Sequence, residues 1–267
     1  MVIGAITGDI VGSVYEFHDH KSKDFELFKE KCFFTDDSVM SIAVLKALSL
    51  YSRDGDMQAF KKIVIDCMQE IGRKYPHCGY GSGFSSWMFS DYPKPYNSYG
   101  NGSAMRISAV GFYAKSKQEV IELSRAVSEV SHNHVEGIKG AEATAMAIFL
   151  ARQGVYKQEI RKYITQTYYP ELDGMTVDGV RKDYYFNATC QQTVPQALLC
   201  FFEAEDFEDA IRNGISIGGD SDTICAILGG VAEAYFGVPS WIQESAWYFL
   251  DDYLKAQIKE SVARLIK

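Results

Sequence analysis

Residues 218–236 read Gly-Gly-Asp-Ser-Asp-Thr-Ile-Cys-Ala-Ile-Leu-Gly-Gly-Val-Ala-Glu-Ala-Tyr-Phe. From Asp222 onward the run is rich in Ala, Leu and Ile and predicts a largely buried helix with a polar mouth. The stretches 38–52, 137–153 and 190–204 have the same character. Around them lie amphipathic patterns. Met57, Phe60, Val64, Cys67 and Ile71 recur at spacings of three and four, as do Val120, Leu123, Val127 and Val130. Trp241, Phe249, Tyr253, Leu254, Ile258 and Val262 fit one long amphipathic helix near the end. No region carries a convincing series of alternating strands. Only the segment from Tyr168 to Phe186 is expected to hold a small hairpin.

The chain has 267 residues, 47% of them hydrophobic and 23% charged, which predicts a globular protein with a substantial core. With six prolines, no internal repeat and no charge-run or Ser/Gly-rich linker, it reads as one domain over 1–267. The net charge of -8 argues against a duplex nucleic-acid partner, which calls for a basic face. An anionic small ligand stays open, because backbone N–H groups and a metal hold a phosphate locally. The six cysteines form no Cys-x-x-Cys pair and read as reduced, mostly buried thiols. The apolar start, Met-Val-Ile-Gly-Ala-Ile-Thr-Gly-Asp-Ile, has no basic flank and is interrupted by Asp9. A cytoplasmic, monomeric protein without membrane attachment is the expectation. Gly4, Gly8 and Gly12 fall on one face if this segment is helical, and there they let another backbone approach closely.

Two polar clusters stand at helix mouths. Phe34-Thr35-Asp36-Asp37-Ser38 precedes an apolar run, and Thr35 as N-cap with two acids in the first turn explains it locally. Gly218-Gly219-Asp220-Ser221-Asp222-Thr223 has the same form. Four carboxylates at the mouths of buried helices repel one another and lose solvation unless cations neutralise them. Together the clusters point to a binuclear divalent-metal site of hard oxygen ligands. An EF-hand is excluded because the chain turns apolar after Thr223 and position 231 is Val. A haloacid-dehalogenase-like Asp box is excluded because this one follows a helix. Between the clusters, Tyr75 to Gly102 is crowded with Gly, Ser, Asn, Pro and Tyr, the composition of a functional loop.

Taken in order, Gly-Asp-x-x-Gly-Ser-x-x-Glu-Phe at 8–17, Phe-Thr-Asp-Asp-Ser at 34–38, Gly-Tyr-Gly-Ser-Gly at 79–83, Ser-Tyr-Gly-Asn-Gly-Ser-Ala-Met-Arg at 98–106 and Gly-Gly-Asp-Ser-Asp-Thr at 218–223 resemble the ADP-ribosylglycohydrolase family. That family includes the dinitrogenase-reductase-activating glycohydrolases. The resemblance covers about residues 2–240. It implies an all-α, compact orthogonal multi-helix bundle with a cleft holding two Mg²⁺ ions, or Mn²⁺. By matching motif, the metal ligands are Thr35, Asp36 and Asp37 from the first cluster and Asp220, Asp222 and Thr223 from the second. The loop of Gly79, Tyr80, Gly81, Ser82 and Gly83 and the segment Ser98 to Arg106 are expected to wrap ADP-ribose, with Ser98, Tyr99, Gly100 and Asn101 contributing diphosphate and ribose contacts. Tyr80, Phe84 and Tyr99 are candidates to stack on adenine. Glu16 matches a mobile glutamate proposed to act in catalysis; it is the favoured base for the attacking water, with Asp36 as the alternative. The implied activity is hydrolysis of the bond between ADP-ribose and a modified acceptor, either an arginine or serine side chain or a small conjugate, through an oxocarbenium-like transition state.

Ser131-His132-Asn133-His134 invites a metal reading, but two His two apart on a helix point to different sides. His132 matches a family histidine beside the ligand; His134 has no counterpart. Asn97 stands where relatives often carry Gly. Gln192-Thr193-Val194-Pro195 reads either as a segment near the adenosine end or as a helix start with Pro in its first turn. Two other functions fit part of the pattern. A binuclear phosphoesterase is disfavoured by the lack of ligand-spaced His, and a non-catalytic ADP-ribose-binding relative by the completeness of both acidic clusters.

Overall fold

Residues 1–53 and 55–266 are described in a computed structural model. Among them are fifteen α-helices: α1 (Ile3–Gly12), α2 (Asp36–Leu50), α3 (Met57–Gly72), α4 (Ser82–Phe89), α5 (Gly102–Met105), α6 (Ser108–Tyr113), α7 (Lys117–Glu129), α8 (Val135–Arg152), α9 (Lys157–Thr167), α10 (Val177–Asp183), α11 (Cys190–Glu203), α12 (Phe207–Ser216), α13 (Ser221–Phe236), α14 (Ser240–Phe249) and α15 (Asp252–Ile266). No strand occurs among the described residues; a single isolated antiparallel bridge joins Gly100 to Thr189. The all-α expectation therefore holds. No helix among those residues is long and apolar enough to cross a membrane.

The four buried stretches form α2, α8, α11 and α13. α13 is the hub: it touches α1, α8, α11 and α12, and from Ser221 to Ala232 every residue is buried. Its closest neighbour is α1. A Cβ built on Gly4, Gly8 or Gly12 would lie 2.2 Å from Gly229 O, 1.9 Å from Cys225 O or 2.4 Å from Asp222 Cα. The glycine stripe thus lets two helix backbones meet directly, and it brings the N-terminal segment against the second acidic cluster.

Several boundaries differ from the sequence reading. Residues 168–186 form no hairpin but a 3₁₀ turn, Pro170–Leu172, and α10. Thr176 caps α10 by accepting from Gly179 N at 3.1 Å, and Arg181 pairs with Asp178 along it, local bonds that favour a helix. The C-terminal amphipathic run is split into α14 and α15. Leu250 is extended and Asp251 accepts from Leu254 N at 2.8 Å, starting a new helix. α11 begins at Cys190, immediately after the bridge at Thr189, so Pro195 lies inside the helix rather than in its first turn. The long Gly/Tyr-rich segment contains α4. All six cysteines are free, and Cys78 alone is only partly buried.

Candidate active site

Both acidic clusters sit at helix N-termini, as their local sequences dictate. Thr35 is extended and its hydroxyl accepts from Asp37 N at 3.3 Å, opening α2. Asp220 precedes the first residue of α13. The two mouths converge because α1 bridges them. Asp9, fully buried on α1, accepts from Thr35 N (2.9 Å), Thr35 Oγ1 (2.6 Å), Ser38 N (3.0 Å) and the Ser38 hydroxyl. It therefore caps α2 from another helix and satisfies orphan N–H groups there. The sequence reading did not place Asp9 in the site. The signal was a carboxylate inside an apolar helical run, which demands partners once it is buried.

Six carboxylates, those of Asp9, Glu16, Asp36, Asp37, Asp220 and Asp222, meet in this region. One oxygen each from Asp9, Asp37 and Asp222 lies within 4.8 Å of the others, and so does one each from Glu16, Asp220 and Asp222. Asp222 belongs to both groups. Among the described residues, no Lys or Arg forms an ion pair with any of the six. Burial, reinforced by Asp222 and Asp9, pushes the Asp36 and Asp37 carboxyls well above the usual range. Burial together with Asp220 and Asp9 does the same to Asp222. Burial raises Asp220 to about 6, although Asn101 Nδ2 donates to its Oδ2 at 2.7 Å. Glu16, half-buried in the turn after α1, is raised to about 8 by burial and then by Asp222 and Asp9. Asp37 Oδ1 is buried with no hydrogen-bond partner. An orphaned carboxylate oxygen amid uncompensated negative charge fits a divalent cation: the donors are hard oxygens and the missing component is positive charge.

All of these acids but Asp9 line the floor of a cleft of about 390 Å³. One wall is the turn before and into α4, with Gly79, Gly81, Ser82 and Gly83. Gly79 has φ +101°, and a Cβ there would stand 3.0 Å from Asp36 Oδ1, so the turn can press against the acidic floor. The other wall is Ser98 to Gly102, fastened to the chain before α11 by Asn101 N→Ala188 O and Cys190 N→Tyr99 O, both 2.9 Å. Asn97, just ahead of that wall, adopts φ +56°, the left-handed conformation that Gly and Asn share.

Most of the expected site residues come together. Glu16, Asp36, Asp37, Asp220, Asp222 and Thr223 line the cleft with Gly79, Gly81, Ser82, Gly83, Ser98, Gly100, Asn101 and His132. Three do not line it. The Thr35 hydroxyl is given to Asp9. Tyr80 packs on Phe84 at 5.7 Å, with its hydroxyl buried and unpartnered. Tyr99 lies half-exposed against His134. Among cleft residues not singled out from sequence are Tyr96, Phe186 and Ala188; Met105 and Arg106 were included only as the end of the 98–106 segment. Phe186 stacks on Phe17 at 6.0 Å beside Glu16. The two histidines occupy the turn between α7 and α8 rather than one helix. His134 caps α8, its Nδ1 accepting from Glu136 N at 3.1 Å, which gives it a structural explanation.

The all-helical frame is a fold already seen. A solved chain titled ADP-ribosylglycohydrolase-related protein complex superimposes with a TM-score of 0.72 over 98% of this chain and 96% of that one, at 20% identity. The sequence model of the ADP-ribosylglycohydrolase family matches residues 1–266, and the chain belongs to that family. Relatives include ADP-ribosylhydrolase ARH3 of Mus musculus, 26% identical over 95% of this chain and 88% of that protein, and its Homo sapiens counterpart, 25% identical over 94% and 89%. ADP-ribosylarginine hydrolase Tri1 of Pseudomonas putida is 25% identical over 55% of this chain and 42% of its own length.

Proposed function

We propose that this protein is a Mg²⁺-dependent hydrolase, able to use Mn²⁺, that cleaves the glycosidic bond between ADP-ribose and a modified acceptor. The observation that carries the reading is the convergence of carboxylates from both ends of the chain on the floor of one cleft, where among the described residues no Lys or Arg forms an ion pair with them. Asp36, Asp37, Asp220, Asp222 and Thr223 are the proposed ligands, with Asp9 added. Thr35 can join them through a lone pair of its Oγ1, whose hydrogen stays on Asp9. Cations held there neutralise the floor and orient the hydroxyls of the distal ribose.

The chain's own groups then divide the remaining work. Gly79, Gly81, Ser82 and Gly83 border the cleft where a diphosphate fits, and the glycines leave room for its oxygens to reach backbone N–H groups, whereas the N–H groups of Gly100 and Asn101 are already donated to Ser98 Oγ and Ala188 O. Phe84 lines the cleft and offers a face for adenine; Tyr99 and Tyr80 reach it only by turning their rings inward. Glu16 Oε is the proposed acceptor of the water proton, with Asp36 as the alternative. Burial, then Asp222 and Asp9, raise the Glu16 carboxyl to about 8 without a cation, and positive charge held beside those acids would lower it toward the range in which it can accept a proton near neutral pH.

Incubation with ADP-ribosyl-arginine, with a serine-ADP-ribosylated peptide and with ADP-ribose, each with Mg²⁺ or EDTA, tests this reading. Free ADP-ribose released from either conjugate in Mg²⁺ alone is the expected result and identifies the acceptor. AMP released from ADP-ribose would establish a phosphoesterase instead, and tight binding of ADP-ribose without turnover a non-catalytic relative. Asp222→Asn, altering the one residue shared by both carboxylate groups, is expected to abolish turnover; near wild-type rates would remove the metal assignment.

A further inference from the structure

Arg106 is the largest fully buried side chain in the protein. A guanidinium has five N–H donors and no acceptor. Its Nη2 donates to Val127 O at 3.2 Å and to Ser131 Oγ at 2.9 Å. Ser131 Oγ is therefore an acceptor toward Arg106, and its single hydrogen is left free to point elsewhere. The other group in reach is His132 Nδ1, at 2.8 Å. Were Ser131 to accept from both neighbours, its buried hydrogen would have no acceptor among the described residues; the arrangement that satisfies every atom has Arg106 donating to Ser131 and Ser131 donating to His132. A nitrogen that accepts carries no proton, so the imidazole hydrogen must sit on Nε2.

That Nε2 faces the binding wall. It lies 3.2 Å from the Cβ position of Gly102 and 3.6 Å from that of Gly100, the backbone stretch that borders the cleft. The ring itself is held between Phe84 at 6.2 Å and Tyr96 at 5.9 Å. Burial and the nearby Arg106 charge also hold His132 well below the ordinary imidazole value, so it stays neutral.

We propose that Arg106 and Ser131 are positioning residues that lock His132 as its neutral Nε2–H form, so that one fixed donor, rather than a titrating charge, meets a ligand oxygen at the Gly100–Gly102 wall. This rests on the proposed function only for the identity of the ligand. It also gives the buried cation a role that the carboxylate floor does not.

The test pairs two substitutions of one shape. Ser131→Val and Ser131→Thr add the same bulk and shut water out equally, but only Thr keeps a hydroxyl. Nitrogen-15 NMR of the histidines in the full-length protein is expected to show His132 protonated at Nε2 and hydrogen-bonded at Nδ1 in the wild type and in Ser131→Thr. In Ser131→Val the Nδ1 resonance moves to that of an imidazole nitrogen without a donor. Calorimetry with ADP-ribose and Mg²⁺ is expected to show binding about tenfold weaker in Ser131→Val and near normal in Ser131→Thr. A wild-type His132 protonated at Nδ1 would overturn the relay. So would a Ser131→Val protein with an unmoved Nδ1 resonance and unchanged affinity. A wild type that shows the Nε2–H form yet binds no ADP-ribose would refute the proposed function and leave the relay intact.

Discussion

Gly8→Ala tests the seam that assembles the site. The new methyl carbon would stand 1.9 Å from Cys225 O, whereas ordinary contact begins at 3.4 Å, so α1 and α13 must part by about 1.5 Å. The obstacle is backbone on the facing helix, which no rotamer change relieves. Alanine gains about 1 kcal/mol over glycine in helix propensity. Overpacking of this kind costs about 3 kcal/mol, the upper end of its usual range. The clash wins, and a net loss of about 2 kcal/mol follows, which for a chain of this size lowers the melting temperature by roughly 4–8 °C. The displacement also carries Asp9, the next residue, away from Thr35, Ser38 and Asp222. Mg²⁺ binding, followed by calorimetry, is expected to weaken together with the melting temperature in a thermal scan. A Gly8→Ala protein that melts at or above the wild-type temperature and binds Mg²⁺ normally would refute the view that direct backbone contact sets the spacing of the acidic groups.

Metal-free protein is expected to lose stability as pH rises. Asp220 goes from its ordinary 3.8 to about 6 and Glu16 from 4.5 to about 8, so the folded state binds protons more tightly than the unfolded state. Stability from these groups is complete below about pH 4 and falls through about pH 8. Urea midpoints in EDTA should therefore decline over that window, and saturating Mg²⁺ should flatten the decline; a midpoint that rises with pH in EDTA would contradict it. Asn97→Val forces a β-branched residue to φ +56° and removes no side-chain partner of its own, so a loss of about 1–2 kcal/mol is expected in urea denaturation, with Asn97→Gly close to wild type.

The helices were legible wherever apolar residues set the period: α2, α3, α7, α8, α11 and α13 appear where the pattern put them. What was not legible was set by single polar atoms. Asp251 accepting from Leu254 N divides an amphipathic run that looks continuous, and the Thr176 cap turns an expected hairpin into α10. The site followed the same division. Its acidic clusters and glycine turns are contiguous in sequence and could be read there. Asp9 could not be placed without knowing that α1 lies across both helix mouths, nor Phe186 and Ala188 without the bridge that ties 189 to Gly100. His134 looked chemical in sequence because a helix cap and a ligand use the same lone pair.

The pairing of α1 with α13 bears on how the chain comes to be folded. Gly4 N donates to Glu233 Oε2 across 229 positions, and the stripe of small residues finds its counterpart only in Ser221–Phe236. On a ribosome α1 emerges long before α13 and waits for the chain between them before it can dock. Closing so wide a loop is slow. The acidic pocket is accordingly among the last features to mature, and a ribosome that stalls before α13 leaves a nascent chain without Asp222, the carboxylate that both groups share.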